Sequence, residues 1–288
     1  MTPFTLNLKG RLLEISRPQV MGILNVTPDS FYAGSHSFGE READARAAEL
    51  IGEGADMIDV GGYSSRPGAD PVDAVEEMRR VRMGIEAVRR ISSDIPVSVD
   101  TFRADVARRA VEDWGADIVN DISGGALDPA MFGTVASLRV PYILMHMRGT
   151  PQTMQTLTEY TDVTADVAAE LSRPLETLRR MGVADIIVDP GFGFAKTLAQ
   201  NYELMAHLPQ LGRMLGCPIL TGISHKSMIT RLCGIPAEEA LAGTVALNTA
   251  AILAGTAIIR VHDVAEGVQT VKVAQALMEA APETQICL

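Results

Sequence analysis

The sequence predicts an α/β protein that forms a single (β/α)₈ barrel of the TIM type with an N-terminal β-hairpin. Short apolar, β-branched runs recur eight times, and longer stretches with helical periodicity separate them. Residues 54–59 closely match residues 115–120, and residues 182–189 are a looser copy; in each, a glycine suits the end of a helix just before a strand. The length of 288 residues is normal for one barrel.

The eight predicted strands are apolar on successive residues, as expected of parallel strands that are buried on both faces. They span residues 20–24, 57–60, 96–99, 117–119, 142–145, 186–188, 219–222 and 258–261. Before them, residues 6–13 are predicted to form a β-hairpin that covers the floor of the barrel. We therefore expect one domain over residues 1–288, with the hairpin in residues 1–17 and the barrel in residues 18–281.

Amphipathic stretches at residues 40–52, 72–91, 103–114 and 158–181 predict helices between the strands. The low-charge run at residues 243–259 is interrupted by several Thr and Gly residues, so it predicts a buried helix that leads into a strand, not a membrane span. An open doubly wound sheet is the alternative architecture. No G-x-G-x-x-G follows the first strand, which disfavours the dinucleotide-binding form of that alternative.

The composition excludes several classes of function. Hydrophobic residues make up 47% of the chain and charged residues 21%, which is typical of a folded globular enzyme. The net charge of −11 disfavours binding to nucleic acid or to an anionic membrane, because both need a basic surface. Cys217, Cys233 and Cys287 are scattered and lack CxxC spacing, which predicts reduced thiols, no zinc site and a cytoplasmic location. Polar residues interrupt residues 1–13, so no signal peptide is expected there.

Polar residues follow the predicted strands, and in a barrel the carboxyl ends of the strands meet on the face where active sites lie. These residues include Asn25, Ser65, Arg66, Asp100, Asn120, Asp121, His146, Asp189, Ser224, His225, Lys226, Ser227, Arg260 and His262. Ordinary loop residues would not concentrate carboxylates, amides and cations in this way. We therefore predict an active site on this face.

Four of these residues form a cationic set after the second, seventh and eighth strands, namely Arg66, Lys226, Arg260 and His262. Barrels often bind phosphate near the seventh and eighth strands. Arginine offers a forked pair of donors to phosphate oxygens, and lysine acts as a point charge. The cationic set therefore predicts a phosphate-binding end of the pocket.

Asp100, Asn120 and Asp189 form an acceptor set after the third, fourth and sixth strands. A carboxylate there suits a ligand edge with two adjacent N–H groups, such as that of a 2-aminopyrimidinone. We predict that the acceptor set lies at the end of the pocket opposite the cationic set. Such a pocket fits a pterin phosphate or a purine phosphate, and the spacing of the residues does not choose between them.

Seven segments at these strand ends form a recognisable series. They are MGILNVTPDSF at residues 21–31, DVGGYSSRPG at 59–68, SVDT at 98–101, VNDI at 119–122, DPGFGF at 189–194, SHKS at 224–227 and RVHDV at 260–264. With these segments in this order, the chain resembles the dihydropteroate synthases over residues 21–271. The resemblance implies a barrel enzyme that condenses (7,8-dihydropterin-6-yl)methyl diphosphate with 4-aminobenzoate to give 7,8-dihydropteroate and diphosphate.

The resemblance also implies roles for individual residues. Asn25 would bind Mg²⁺, whose other ligands would be diphosphate oxygens and water. The pterin site would contain Asp100, Asn120, Met145, Asp189, Phe194, Lys226 and Arg260. The diphosphate site would contain Asn25, Ser65, Arg66, Arg260 and His262, and the 4-aminobenzoate site would contain Thr27, Phe194 and Ser227. The catalytic residues would be Asp100, Lys226 and Arg260.

The chemistry that the resemblance implies is dissociative: the C–O bond to diphosphate breaks first, and the arylamine nitrogen then captures a pterin cation. No nucleophilic side chain is needed, in agreement with the lack of a Ser-His or Cys-His candidate in the sequence. The Ala- and Gly-rich stretch at residues 240–257 permits close helix packing and fits the homodimers of this family. Two alternatives remain open, a related pterin-binding methyltransferase and a non-catalytic barrel that binds a pterin.

Three positions differ from the usual pattern of the family. Ser65 stands where threonine is usual, His225 where arginine is usual, and Ala33 where aspartate is usual. The first change keeps the hydroxyl, and the second replaces a permanent charge with a titratable one. We expect these differences to change affinity or loop order and not the reaction.

Overall fold

The computed structural model describes residues 2–26, 39–64 and 72–280, which form a closed barrel of parallel strands surrounded by helices. The antiparallel strands β1 (Phe4–Leu8) and β2 (Arg11–Ile15) form a hairpin before the barrel. The barrel strands are β3 (Gln19–Asn25), β4 (Met57–Gly61), β5 (Val97–Asp100), β6 (Ile118–Asp121), β7 (Tyr142–Met145), β8 (Ile186–Asp189), β9 (Leu220–Gly222) and β10 (Ile258–Val261). The predicted barrel and hairpin are confirmed, and each predicted strand overlaps an observed one.

The barrel strands are hydrogen-bonded in the order β8-β7-β6-β5-β4-β3-β10-β9, and every neighbouring pair is parallel. The ring closes between β8 and β9 through a parallel bridge of Val188 with Ile219. Beside this bridge, the Val188 N–H donates to the Pro218 carbonyl at 2.9 Å. The closure excludes the open-sheet alternative.

Helices cover the outside of the barrel. They are α1 (Glu40–Gly52), α2 (Ala74–Ile91), α3 (Ala104–Arg109), α4 (Met131–Leu138), α5 (Val163–Arg180), α6 (Leu198–Ala206), α7 (Leu208–Leu215), α8 (Ser227–Cys233), α9 (Leu241–Leu253) and α10 (Val264–Ala280). The helix and strand predicted within residues 243–259 are confirmed by α9 and β10. None of the described helices is long and apolar enough to cross a membrane.

A capping carboxylate and a glycine set two helix limits. The helix predicted from residue 158 begins only at α5, because the Asp162 carboxylate accepts hydrogen bonds of 2.9 Å from the Thr164 and Ala165 N–H groups. The helix predicted over residues 103–114 is α3 followed by a π-helical turn. This turn ends at Gly115, whose φ of 92° is in the left-handed region that favours glycine.

The hairpin closes the bottom of the barrel. Its turn, Lys9-Gly10, has positive φ angles of 53° and 94°, as type I′ turns do, and such turns match the twist of the two strands. Leu6, Leu8 and Ile15 are at most 3% exposed and form one apolar cluster with inward residues of the barrel strands. The prediction that the hairpin covers the barrel floor is therefore confirmed.

Side chains alternate between the inside and the outside along each barrel strand. The layer next to the hairpin is apolar and consists of Met21, Met57, Ile118, Ile143, Ile187, Leu220 and Ile258. Two residues further along their strands, the inward positions hold Asp59 in β4, Asn120 in β6, Asp189 in β8 and Arg260 in β10. The same alternation therefore gives the barrel an apolar lower half, next to the hairpin, and places polar side chains inside its upper half, at the carboxyl ends of the strands.

Candidate active site

A cavity of about 670 Å³ opens at the carboxyl ends of the barrel strands. Its lining includes the predicted site residues Asn25, Asp100, Asn120, Met145, Asp189, Phe194, Lys226, Ser227, Arg260 and His262. Four residues that were named as site residues or as departures from the family pattern lie outside the described residues, namely Thr27, Ala33, Ser65 and Arg66. The structure thus brings together every described residue that the sequence assigned to a substrate or metal site.

Arg260 is the centre of an ionic network inside the barrel. Its Nε donates to Asp59 Oδ2 at 2.6 Å, and its Nη2 donates to Asp100 Oδ2 at 2.8 Å. Asn120 Nδ2 donates to the same Asp59 oxygen at 3.0 Å. Burial lowers the pKa of Arg260, but the carboxylates of Asp59 and Asp100 outweigh it and raise the pKa above its usual value. The Arg260 guanidinium therefore stays positively charged, and the two carboxylates fix the orientation of its plane.

Asp59 belongs to this site, and the reasoning from strand ends missed it. Its side chain is fully buried, and its Oδ1 has no hydrogen-bond partner among the described residues. Asp59 lies inside an apolar run, two residues after Met57 and just before the end of the predicted strand. A charge buried in such a run is costly unless it is paired, so its position was the available signal for a partner inside the barrel.

Asp100 lies between Arg260 and several carboxylates. Burial raises the pKa of Asp100 to about 7 against the attraction of Arg260, and the negative charges of Asp59, Asp121 and Asp189 raise it further. A carboxyl group with this pKa exchanges a proton near neutral pH. Its charge therefore responds to small changes in its surroundings, such as a charged ligand.

Lys226 and Asp189 approach each other next to Gly222. A Cβ on Gly222 would lie 3.8 Å from Lys226 Nζ and 3.9 Å from Asp189 Oδ2, so this glycine leaves room for both groups. Lys226 Nζ donates to the Phe192 carbonyl at 2.5 Å and lies 4.6 Å from the centre of the Phe194 ring. Burial lowers the pKa of Lys226 to about 8, although Asp189 raises it. Burial also raises the pKa of Asp189, against the attraction of Lys226.

The prediction that cations and acceptors occupy opposite ends of the pocket is wrong for Arg260 and Lys226. Arg260 is paired with Asp59 and Asp100, and Lys226 lies close to Asp189. The physical reason is burial, because carboxylates enclosed in the barrel require a counter-charge nearby. Positive and negative groups therefore alternate around the cavity.

Asn25 ends β3 beside Gly61 of β4. A Cβ on Gly61 would lie 3.2 Å from Asn25 Oδ1 and 3.6 Å from Asp100 Cβ, so the glycine leaves space for the amide oxygen. Among the described residues, no group of three His, Cys, Asp or Glu side chains is placed to hold a metal ion. One amide oxygen suits a cation that takes most of its ligands from water and substrate phosphates, as Mg²⁺ does. The residues present fit such a cation and not a metal that the protein alone encloses.

A second buried network, also missed in the sequence, supports the loop after β8. Lys196 is 4% exposed, and its Nζ donates to the Gly191 and Phe194 carbonyls and to His146 Nδ1, each at 3.0 Å. His146 Nε2 in turn donates to Glu170 Oε2 at 2.9 Å. Burial lowers the pKa of Lys196 to about 7 and that of His146 to about 4. This network fixes the loop that carries the Phe194 ring.

Two strand-end residues order loops and do not line the cavity. The Asp121 carboxylate accepts hydrogen bonds of 2.7 Å from the Ser123 N–H and hydroxyl, and 2.9 Å from the Gly125 N–H. The Tyr142 hydroxyl also donates to it, at 2.7 Å. His146 is buried in the network described above. The sequence therefore predicted the right face but could not separate residues that point into the cavity from those that hold its loops.

Comparison with known proteins agrees with this site. The family model described as pterin binding enzyme matches residues 21–262. The chain is 46% identical over 264 residues to a dihydropteroate synthase from Synechocystis sp., and the alignment covers 91% of this chain and 90% of the relative.

Two solved structures are similar to the whole barrel. One is Yersinia pestis dihydropteroate synthase in complex with a sulfonamide drug, with a TM-score of 0.89 and 39% identity, covering 96% of this chain and 100% of that chain. The other is Xanthomonas albilineans dihydropteroate synthase in complex with 7,8-dihydropteroate, with a TM-score of 0.85 and 40% identity. It covers 96% of this chain and 99% of that chain.

Proposed function

The chain belongs to the pterin-binding enzymes and, among them, to the dihydropteroate synthases, and on this basis we propose how its residues carry out the reaction. This transferase reaction of folate biosynthesis joins (7,8-dihydropterin-6-yl)methyl diphosphate to 4-aminobenzoate and releases 7,8-dihydropteroate and diphosphate. One observation carries the proposal: Asp189, Asn120, Lys226 and Arg260 converge on one cavity at the carboxyl ends of the strands.

Asp189, Asn120 and Lys226 bind the polar edge of the pterin. Asp189 and Asn120 are 5% and 4% exposed, and buried acceptors of this kind require hydrogen-bond donors from a ligand or from the protein. The 2-amino group and the adjacent ring N–H of a pterin supply such donors, while Lys226 Nζ donates to the pterin carbonyl or a ring nitrogen. Met145 and Phe194, which belong to one apolar cluster, pack around the ring.

Arg260 lies against the face of the pterin, and Asp100 lies near the part of the ring that becomes positive. The two carboxylates that hold the Arg260 guanidinium fix its orientation before substrate binds. Because this arrangement exists in advance, little reorganisation is needed when charge develops. Asp100 is catalytic in this scheme through its negative charge, and Lys226 and Arg260 through their contacts with the pterin.

The bond changes follow a dissociative order. The C–O bond between the pterin methylene carbon and the diphosphate breaks first, and its electron pair leaves with the diphosphate. The resulting cation is stabilised by resonance with the pterin ring and by the carboxylates around it. The arylamine nitrogen then uses its lone pair to form the C–N bond and loses a proton. No side chain of the protein acts as a nucleophile.

The diphosphate is held by Asn25, Ser65, Arg66, Arg260 and His262. Asn25 and His262 line the same cavity as Arg260, which supports their share in this site. Asn25 would hold Mg²⁺ through its amide oxygen, and the ion would supply positive charge that offsets the charge of the diphosphate. We expect chelation with EDTA to raise the KM for the pterin diphosphate, and added Mg²⁺ to restore it.

The 4-aminobenzoate site is formed by Thr27, Phe194 and Ser227. Phe194 and Ser227 both line the cavity, and Ser227 is exposed at the start of α8, directly after the pterin-binding Lys226. This neighbourhood supports a position of 4-aminobenzoate beside the pterin, with its amine next to the reacting carbon. Since the similar enzyme of Yersinia pestis forms a complex with a sulfonamide drug, we propose that this chain binds sulfonamides as well.

A cytoplasmic homodimer is the state that we propose. Val273 and Leu277 on α10 are 58% and 46% exposed, which supports an apolar contact surface on this side. Part of the small-residue surface of α9 is used within the chain, since a side chain on Gly243 would overlap Ile229 of α8. Cys217 is a free thiol, as is common in a reducing compartment.

The test supplies the pterin diphosphate, 4-aminobenzoate and Mg²⁺ and measures diphosphate and dihydropteroate together. We expect equal amounts of both products, and the matched control omits 4-aminobenzoate. Diphosphate release that does not depend on the amine would contradict the synthase. Pterin binding without any release would instead support one of the two alternatives, the methyltransferase or the non-catalytic barrel.

A further inference from the structure

His225 connects three segments at the mouth of the cavity. It lies in the turn between β9 and α8, where its backbone N–H donates to Thr244 Oγ1 at 3.1 Å. Its ring contacts the Ala237 carbonyl through Nδ1, and Asp263 Oδ2 through Nε2 at 2.7 Å. Ala237 begins a 3₁₀ turn before α9, and Asp263 lies between β10 and α10. One side chain therefore ties the ends of three segments together.

Both ring nitrogens of His225 face hydrogen-bond acceptors. A carbonyl oxygen and an ionised carboxylate have no hydrogen to donate. A neutral imidazole carries one N–H and one lone pair, so it would point the lone pair at one of these oxygens. An imidazolium donates to both. The contacts of His225 are those of the cation.

The charges around His225 agree with this protonation state. Asp263 and Glu238 attract a positive charge on the ring, while the His262 ring lies edge-on with its centre 6.0 Å away. Burial lowers the pKa of His225, but the hydrogen bonds to Ala237 and to Asp263 raise it by more. The pKa therefore lies above its usual value.

The backbone of His225 also points to a positioning role. Its φ of 54° is in the left-handed region, which residues other than glycine rarely adopt. Such a conformation persists where surrounding contacts hold it. The backbone bond and the two ring bonds do so here, and they fix the start of α8, where Lys226 and Ser227 lie.

We propose that protonated His225 is a positioning residue that holds the β9–α8 turn against the end of β10, so that Lys226 and Ser227 face the substrates. This inference rests on the proposed function and deepens it, because it makes binding of the pterin diphosphate depend on pH. Below the raised pKa both ring bonds are present. As pH rises through that pKa, one of them is lost and the turn loosens.

The chain offers a matched set of variants for the kinetic test. His225→Arg keeps a permanent charge, His225→Gln removes the charge, and His207→Gln changes an exposed histidine outside the cavity. The KM for the pterin diphosphate and kcat are measured for each from pH 6 to 9. Dividing the wild-type KM by that of His225→Arg at each pH removes titrations that both proteins share.

We expect the ratio of the wild-type KM to the KM of His225→Arg to rise about fivefold from pH 6 to 9, since a charge-assisted hydrogen bond is stronger than a neutral one. The kcat ratio should change less. His225→Gln should have a high KM at every pH, and His207→Gln should follow the wild type. A KM ratio that stays constant over this range would overturn the proposal.

A second measurement does not require turnover. In ¹⁵N-histidine-labelled protein, the His225 signals are identified by their loss in His225→Arg, and both ring nitrogens should remain protonated above the usual titration midpoint of histidine. Asp263→Asn should lower the pH at which they titrate, which tests the contact if His225→Gln folds poorly. A neutral ring at pH 6 would refute the inference even in an active enzyme. Missing turnover with an intact titration would count against the proposed function alone.

Discussion

Buried inward side chains have opposite roles in the lower half of the barrel, next to the hairpin, and in the upper half, at the carboxyl ends of the strands. Met57 and Asp59 lie two residues apart on β4, and both are 0% exposed. Met57 belongs to the same apolar cluster as the hairpin residue Leu6, whereas Asp59 accepts hydrogen bonds from Arg260 and Asn120. Burial alone therefore does not separate core from site. What separates them is whether a buried side chain meets apolar neighbours or a counter-charge.

The largest effect is expected when a charge is removed from the upper half. Asp189→Ala would remove the proposed acceptor of the pterin N–H groups, so pterin binding should weaken by about 100-fold or more. Calorimetry with the pterin diphosphate measures this, and Asp189→Asn, which keeps one acceptor oxygen, should be intermediate. Unchanged affinity in Asp189→Ala would mean that the pterin binds elsewhere.

Removing an apolar side chain from the lower half should lower the stability of the fold and leave substrate binding unchanged. Met57→Ala is expected to lower the free energy of unfolding by about 2–5 kcal/mol, because it leaves a cavity beneath the site. Urea denaturation measures the loss, and the KM for the pterin diphosphate should stay unchanged at a temperature where the variant is folded. A large rise in KM would show that the two halves are not independent.

Asp59→Asn is the counterpart of that variant on the same strand. The amide keeps the volume of the side chain but loses the charge that fixes Arg260, so kcat/KM should fall about tenfold. Steady-state kinetics and urea denaturation are measured side by side for the two variants. If Asp59→Asn lost stability and kept its kcat/KM, Asp59 would be a core residue like Met57 and not part of the site.

The pH dependence of kcat/KM should reflect the ionisation of two residues in the upper half of the barrel, Asp100 and Lys226. Burial raises the pKa of Asp100 to about 7 and lowers that of Lys226 to about 8. We expect kcat/KM to rise with pH through 7 as Asp100 ionises and to fall above 8 as Lys226 loses its proton. Asp100→Asn should lack the acidic limb, and Met57→Ala should keep both limbs. A profile that is flat from pH 6 to 9 would contradict both roles.

The raised pKa of Asp100 should also make the free energy of unfolding depend on pH. When a carboxyl group binds its proton more tightly in the folded state, the folded state loses stability over the pH range in which the unfolded chain has ionised and the folded group has not. The contribution of Asp100 to the free energy of unfolding should therefore fall as pH rises from 3.8 to about 7. Urea denaturation of the wild type and of Asp100→Asn over this range isolates it.

The smallest effect on stability is expected from a substitution on the outer side of the hairpin. Leu12 is 71% exposed, so Leu12→Ser should change the free energy of unfolding by no more than about 0.5 kcal/mol. Leu6, on the paired strand, is 1% exposed, and Leu6→Ala should cost about 2–5 kcal/mol. Thermal unfolding compares the two. Equal effects would mean that the hairpin does not seal the barrel floor.

The sequence predicted the strands well because their signal is local. Short apolar runs, several of them rich in β-branched residues, mark the barrel strands, and the rule that active sites lie at the carboxyl ends then selects the site residues. The start of α5 was missed because it depends on one capping side chain, Asp162, which helical periodicity does not detect.

The pairing of charges could not be read from the sequence because it depends on distances across the barrel. Arg260 bonds to Asp59 and Asp100, which lie 201 and 160 residues away along the chain. Their separation in sequence gives no indication of this contact. Lys196 was missed for a related reason, since its three acceptors become neighbours only when the loop after β8 folds back on β7.

The weak pairing of β8 with β9, where the barrel closes, gives the ligand a role in holding the barrel together. In the part of the chain that the structure describes, β8 and β9 share one bridge, whereas the other neighbouring strands share three to five paired residues. Asp189 ends β8, and Lys226 follows β9. A pterin bound by both residues would therefore cross-link the two strands at the joint with the least backbone pairing. Bound substrate would then stabilise the pairing of β8 with β9. In the ligand-free barrel, these two strands would separate more easily.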